Sequence, residues 1–342
     1  MVNLMNFMFL ANTGNFIGDW LYDLGGLIGN FGWTVVVFTI ILKLAVSPFD
    51  IWQKVLMRKN AKAMKRIQPQ LEKLQKQYGN NQQLMGEKQM QLYKKEHYST
   101  FGACLPMILT MVIFFVVFAG FNATVRFQNE EVFLSLQQTY TQAKDEAEKN
   151  PTLTTEQQKK DYIDSEVLKK YENDIRPMQN FLWIENIFMP DTWSKAIPDW
   201  GTFIGSGMGK LNINISGLEE SEYMAVMSPI IAKYNTRWNG YLILPILAFI
   251  LNFVTSKMMQ NANPQVPTGS ADMQKANKMN MKIMQWLMPI MMLVFAVLYS
   301  SAFTLYMFVS ALVTTLFQLI TNLTFKIIDK RAEDKELSTS YK

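Results

Sequence analysis

Residues 32–53 read GWTVVVFTIILKLAVSPFDIWQ, and this stretch decides the class of fold. Between Gly32 and Phe49 only Lys43 carries a charge. A bilayer core of roughly 30 Å is crossed by about 20 mostly apolar residues of helix, which is what this stretch supplies. Similar apolar blocks recur at 101–121, 240–258, 283–300 and 301–325. The last two form a run too long for one crossing, so a sharp turn is expected at Ser300 and Ser301. The chain of 342 residues, 49% hydrophobic with 23 Phe and 24 Met, therefore predicts an all-α integral membrane protein with five transmembrane helices, the first at 31–53.

Orientation follows from the segments between the blocks, because short loops rich in Lys and Arg stay in the cytoplasm. From Lys54 to Tyr98 there are 11 Lys and Arg against 3 Glu. Segment 54–100 is thus expected inside, as are the loop 259–282 and the tail 326–342. The amino terminus then lies outside, with 1–30 as an interfacial helix and 122–239 as a large, acidic extracellular insertion. Within 54–100, Met57, Met64, Ile67, Leu71, Leu74 and Tyr78 follow a coiled-coil seam, and Gly79–Asn81 makes a turn. A return helix with Met85, Leu92 and Tyr93 completes a cytoplasmic antiparallel helical hairpin. In the insertion, two charged helices are expected to break at Asn150–Pro151, and 181–218 reads as irregular.

A cation inside a span costs a few kcal/mol and usually marks a pathway or a paired charge. Helical spacing aligns Thr39, Lys43, Ser47 and Asp50 on one face. Ser310, Thr314, Gln318 and Asn322 recur every four residues in the fifth span, and Asn252, Thr255 and Ser256 occupy a similar depth in the third. Taken singly, such residues act as hydrogen-bond glue between helices, and a lysine can snorkel to the headgroups. Three stripes at one depth favour a shared hydrophilic groove open to the cytoplasm and closed outside by Trp33, Phe38, Phe118, Leu247 and Tyr299.

Enzyme motifs are lacking: no H-E-x-x-H, P-loop or G-x-S-x-G occurs. One His and one Cys, His97 and Cys104, leave little room for a metal site or a disulfide. The reading is therefore of a protein that is not an enzyme and needs no cofactor or metal. The basic hairpin is expected to meet anionic lipids, without direct nucleic-acid binding.

Residues 32–53, the basic helix after them, FGACLPM at 101–107, FLWI at 181–184, LPIL at 244–247 and MPIM at 288–291 together resemble the bacterial YidC insertase family, in that family's order. The resemblance implies an insertase and chaperone for nascent membrane proteins, in the bacterial plasma membrane, working beside the ribosome and the Sec translocon. It implies that Lys43 stands where the family usually has Arg, in a groove that receives the polar part of an incoming helix. A solute transporter or channel using the same polar cavity is the alternative. Transporter folds, however, tend to show internal repeats and Gly/Pro-broken helix pairs, and neither is evident here.

Overall fold

A computed structural model describes residues 13–79, 81–96, 98, 100–262, 286–287 and 289–340. Among these residues there is no strand, only one isolated bridge between Phe181 and Ile184. The chain divides into two compact units: Met1–Thr39 with Phe114–Ala248 and Met292–Phe308, and Ile40–Ile113 with Phe249–Met291 and Val309–Lys342. Each of the five boundaries falls inside one of the apolar blocks. Among the described residues, three helices are long and apolar enough to cross a membrane: α2 (Phe31–Tyr78), α4 (Thr100–Lys149) through its part from Ile108, and α11 (Ser301–Ser340) through its part up to Ile328. Shorter apolar helices lie within α9 (Ile243–Ala262) and form α10 (Pro289–Leu298). Leu44, Phe115, Val116, Ile250, Ile320 and Leu323 stand exposed on these helices, an apolar surface of the kind that lipid rather than water covers.

Several predicted boundaries carry no break. Helix α2 continues through 53–54 to Tyr78 with Pro48 and Pro69 inside it, and α4 runs unbroken from the predicted span into the insertion as far as Lys149. The helix of the fifth block likewise continues into the predicted tail. Residues 1–12 and 263–285 of the predicted amino-terminal helix, loop and fourth span lie outside the described residues.

In the second unit, α2 and α3 (Gln82–Lys95) form the helical hairpin. Ala63, Met64, Ile67 and Leu71 pack with Leu92 and Tyr93, and Leu74 and Tyr98 close over them. Met57, Tyr78 and Met85, expected in this seam, lie outside that cluster. At the turn the Gly79 N–H donates to the Gln75 carbonyl at 2.9 Å, and the Asn81 side chain caps α3 by accepting from the Leu84 N–H at 3.1 Å.

The first unit is organised by residues 177–191, the end of a short helix and the irregular stretch after it, which meet the starts of three apolar helices. The first N–H groups of any helix have no partner within it, and burying them unpaired is costly. Before α2, Asn30 accepts from the Trp33 N–H at 3.2 Å and donates to the carbonyls of Asn180 at 2.8 Å and Pro177 at 3.0 Å. At α11, the N–H groups of Ser301 and Ala302 donate to the Met189 and Ile187 carbonyls, both at 2.9 Å. At α9, the Asp191 carboxylate accepts from the N–H groups of Tyr241 at 2.7 Å and Leu244 at 2.8 Å, and from the Trp183 indole at 3.3 Å. Asp191 is fully buried, and its partners among the described residues are peptide N–H groups at a helix start and an indole, not a cation. Two glycines permit this contact. A Cβ on Gly240 would stand 1.8 Å from Asp191 Oδ1, and one on Gly32 would stand 2.1 Å from the Phe181 ring.

Around this segment, Phe118 meets Tyr299 edge-on at 4.7 Å and Phe303 at 5.1 Å, while Phe121 and Phe38 are fully buried. Trp33 and Leu247, expected to close the same region, instead remain exposed. Helix α1 (Phe16–Ile28) lies against α4, where Gly120 leaves room for Ile17. Further along, α5 (Glu156–Lys170) follows the expected break at Asn150–Pro151 and leads through a π-helical turn, Tyr171–Ile175, into α6 (Arg176–Gln179). The stretch expected to be irregular contains α7 (Trp200–Phe203) and is followed by α8 (Glu220–Tyr234). Tyr223 of α8 is fully buried against Phe133 and Phe203, its hydroxyl donating to the Pro198 carbonyl at 2.7 Å.

Replacing Asp191 with Ala strands two peptide N–H groups and an indole, and should cost about 3 kcal/mol of stability, read as a lowered unfolding midpoint in detergent. A second effect appears at alkaline pH. Burial, reinforced by its hydrogen bond to Glu172, pushes the Tyr234 phenol from about 10 up to about 12. A raised pKa contributes stability that is complete below the unfolded value and lost as pH rises through the folded one. Stability should therefore fall between roughly pH 10 and 12, less so in Tyr234→Phe, followed by the near-ultraviolet dichroism of the tyrosines.

Candidate functional site

The predicted site residues other than Thr39 belong to the second unit. There α2 and α11 run parallel in a register fixed by two contacts. Lys54 Nζ donates to Thr321 Oγ1 at 2.8 Å, and one turn further on in both helices the Arg58 guanidinium lies 4.4 Å over the Phe325 ring. Carried back toward the starts of the two helices, this register sets Ser47 level with Thr314 and Lys43 level with Ser310. Helix α9 joins α11 through Thr255, whose hydroxyl is 2.6 Å from that of Thr315.

Most hydroxyls of the predicted stripes are engaged by their own helices. Thr39, fully buried in the first unit, donates to the Val35 carbonyl at 2.6 Å; Thr314 donates to the Ser310 carbonyl and Thr255 to the Leu251 carbonyl, both at 2.8 Å. Ser47 has a more particular duty. Pro48 has no N–H to give the Leu44 carbonyl four residues back, and the Ser47 hydroxyl donates to that carbonyl instead at 2.8 Å. Asn252 is half-buried and has an interaction partner, and Asn322 is half-buried.

Two residues stand apart. Lys43 is half-buried and makes no ion pair among the described residues. Gln318 is only 3% exposed, and its buried Oε1 accepts no hydrogen bond from any described residue. A buried carboxamide oxygen left bare is costly, so the position is suited to a donor supplied from elsewhere. Gln318 lies three residues beyond Thr315 and three before Thr321, between the contacts to α9 and to Lys54.

Sequence spacing missed Thr315, Thr321 and Lys54. Each step of four residues advances an α-helix about 400°, so a strict four-residue stripe drifts by roughly 40° per step. Alternating steps of three and four, which join Thr314, Gln318 and Thr321, follow one face more closely. The cavities of about 10 Å³ beside Tyr223 and about 340 Å³ beside Trp200 contain none of the predicted site residues.

An all-helical chain with three helices fit to cross a membrane, and with a polar seam between two of its helices, is an integral membrane protein by construction. The family model described as 60Kd inner membrane protein matches residues 23–163 and 164–330, and the chain belongs to this family, the YidC family. Relatives named membrane protein insertase YidC include one from Caldanaerobacter subterraneus subsp. tengcongensis, 35% identical over 109 residues, which are 32% of this chain and 51% of that protein. Another, from Ruegeria pomeroyi, is 36% identical over 113 residues, 33% of this chain and 18% of its own. A third, from Fusobacterium nucleatum subsp. nucleatum, is 35% identical over 91 residues, 27% of this chain and 42% of its own. The chain thus spans about half the length of these relatives or less.

The Thr255–Thr315 contact should be a weak but measurable clamp. In a double-mutant cycle with Thr255→Val and Thr315→Val, unfolding in detergent should show a coupling of about 0.6 kcal/mol, and additive losses would mean that the hydroxyls do not meet.

Proposed function

We propose that this chain is a membrane protein insertase that moves nascent transmembrane segments into the bilayer through a hydrophilic groove carrying Lys43. The reading rests first on Gln318, an acceptor buried without a partner on the helix whose register brings Ser310 level with Lys43. It is supported by membership of the family and by the relatives' printed function. In this reading the five apolar blocks are five spans, the amino terminus is outside, and the hairpin and tail are cytoplasmic. The basic hairpin meets anionic lipid and receives the substrate, with the ribosome and the Sec translocon as neighbours.

The chemistry is electrostatic. An acidic side chain carried to the middle of a bilayer costs roughly 3 kcal/mol on insertion scales. An ammonium about 8 Å away, at an effective dielectric constant near 20, returns about 2 kcal/mol. Lys43 offers that field as a compact point charge, whereas Arg would add a planar fork. Gln318 accepts from the polypeptide's own N–H groups while these lack helical partners. Thr39, Ser47, Asn252, Thr255, Ser310, Thr314 and Asn322 keep the surroundings polar, with Ser47 also sustaining the helix at Pro48. No bond is made or broken, so no cofactor is required.

Insertion of a small substrate with an acidic outer tail should fall roughly thirtyfold in Lys43→Ala and further in Lys43→Glu, while Lys43→Arg retains it. Protease protection of the substrate tail, measured at equal accumulation of the variants, checks this order. Equal insertion by all three would remove Lys43 from the mechanism. Photo-crosslinkers placed at Lys43 and Gln318 should capture the same nascent chain during synthesis.

A further inference from the structure

We infer that the first unit bears its own bilayer-contacting belt, so that the insertion sits down on the interfacial zone of the lipid instead of projecting freely from it. The observation is a set of exposed aromatic and apolar side chains grouped at the ends of apolar helices, where the exposed lipid-type surface of those helices stops. Trp193 and Trp238 meet edge-on with ring centroids 6.2 Å apart, Trp238 and Tyr241 are 6.1 Å apart, and all three are at least half exposed. Tyr241 stands two residues before α9, at a peptide N–H bound by Asp191, which fixes the depth of this cluster at the helix start.

A second cluster marks the start of α2. Trp33, in the first turn and 56% exposed, meets Phe181 edge-on at 5.5 Å. The next residue, Leu182, is 72% exposed and held at a φ of 55°. Left-handed backbone is disfavoured for leucine, and an apolar side chain presented to water at such a position gains nothing to offset it. A third point lies at the end of α10. Gly209 approaches closely enough that a Cβ would be 3.0 Å from the Leu298 carbonyl, and its neighbour Met208 is 72% exposed.

Trp and Tyr concentrate where headgroups meet hydrocarbon, because the ring seeks the apolar side and the N–H or O–H the wet side. The exposed side chains lie at the starts of α2 and α9 and the end of α10, the same side of the membrane if those helices cross it. That common level selects the lipid interface as the occupant over a protein partner, which would need one contiguous patch. The belt rests on these helices being spans and not on insertase activity.

Spin labels test it in the full chain, reconstituted in phosphatidylcholine nanodiscs and carrying Cys104→Ala. Trp238→Cys and Leu182→Cys report two clusters independently, each leaving the other intact, with Val37→Cys as the span reference and Gln157→Cys as the aqueous one. A water-soluble nickel chelate should reach the two belt sites at least threefold less than Gln157. If Val37 is shielded but both belt sites equal Gln157, the belt is overturned and the surface is free for a protein partner. If Val37 is itself open to nickel, the spans are wrong and the belt falls with them. Should either belt variant fail to fold, the remaining label decides by the same comparison.

Discussion

A helix that begins inside a membrane protein must find acceptors for N–H groups that its own backbone cannot serve. The first unit meets that demand at three helix starts, with residues 187–191 at two of them and at the third with Asn30, which the Pro177 and Asn180 carbonyls hold. Backbone carbonyls of Ile187 and Met189 serve α11, Asn30 links the segment to α2, and the Asp191 carboxylate serves α9. The FLWI stretch owes its chemistry to this arrangement. Phe181 fills the space that Gly32 leaves, and the Trp183 indole donates to Asp191. What reads as a family signature is thus a set of fastenings for helix starts.

The second unit uses polar residues more sparingly than their number suggests. Back-bonded threonines need no cavity, and Ser47 answers to its neighbouring proline. Once these are set aside, the Lys43 ammonium, outside any ion pair among the described residues, and the buried Gln318 carboxamide stand out. One offers positive charge and the other a lone pair, the combination on which the proposed groove rests. The contacts of Lys54 and Arg58 with α11 brace the helix pair below them.

Much of the helical content was legible because apolar blocks of span length and a heptad seam are strong periodic signals. The core of Met64, Ile67, Leu71 and Leu92 emerged where the seam predicted it. Helix ends were less legible. Composition switches from apolar to charged at residues 53 and 121, and in both places the helix runs on through the switch. Helix α8 was hidden because its short apolar face is interrupted by Pro229, and its anchor, Tyr223, packs on residues far away in sequence. In the candidate site, Lys43 and Gln318 could be found by residue type and depth. Thr315, Thr321 and Lys54 could not, since their importance depends on which helix lies opposite.

The proline in α2 has one more mechanical effect. The backbone ladder lacks a rung at Pro48, above the level where Lys54 and Arg58 tie α2 to α11 and below Lys43. Bending there breaks no peptide hydrogen bond, only a replaceable hydroxyl contact. Lys43 therefore stands five residues before a joint that can flex without releasing the Lys54 and Arg58 fastenings beyond it.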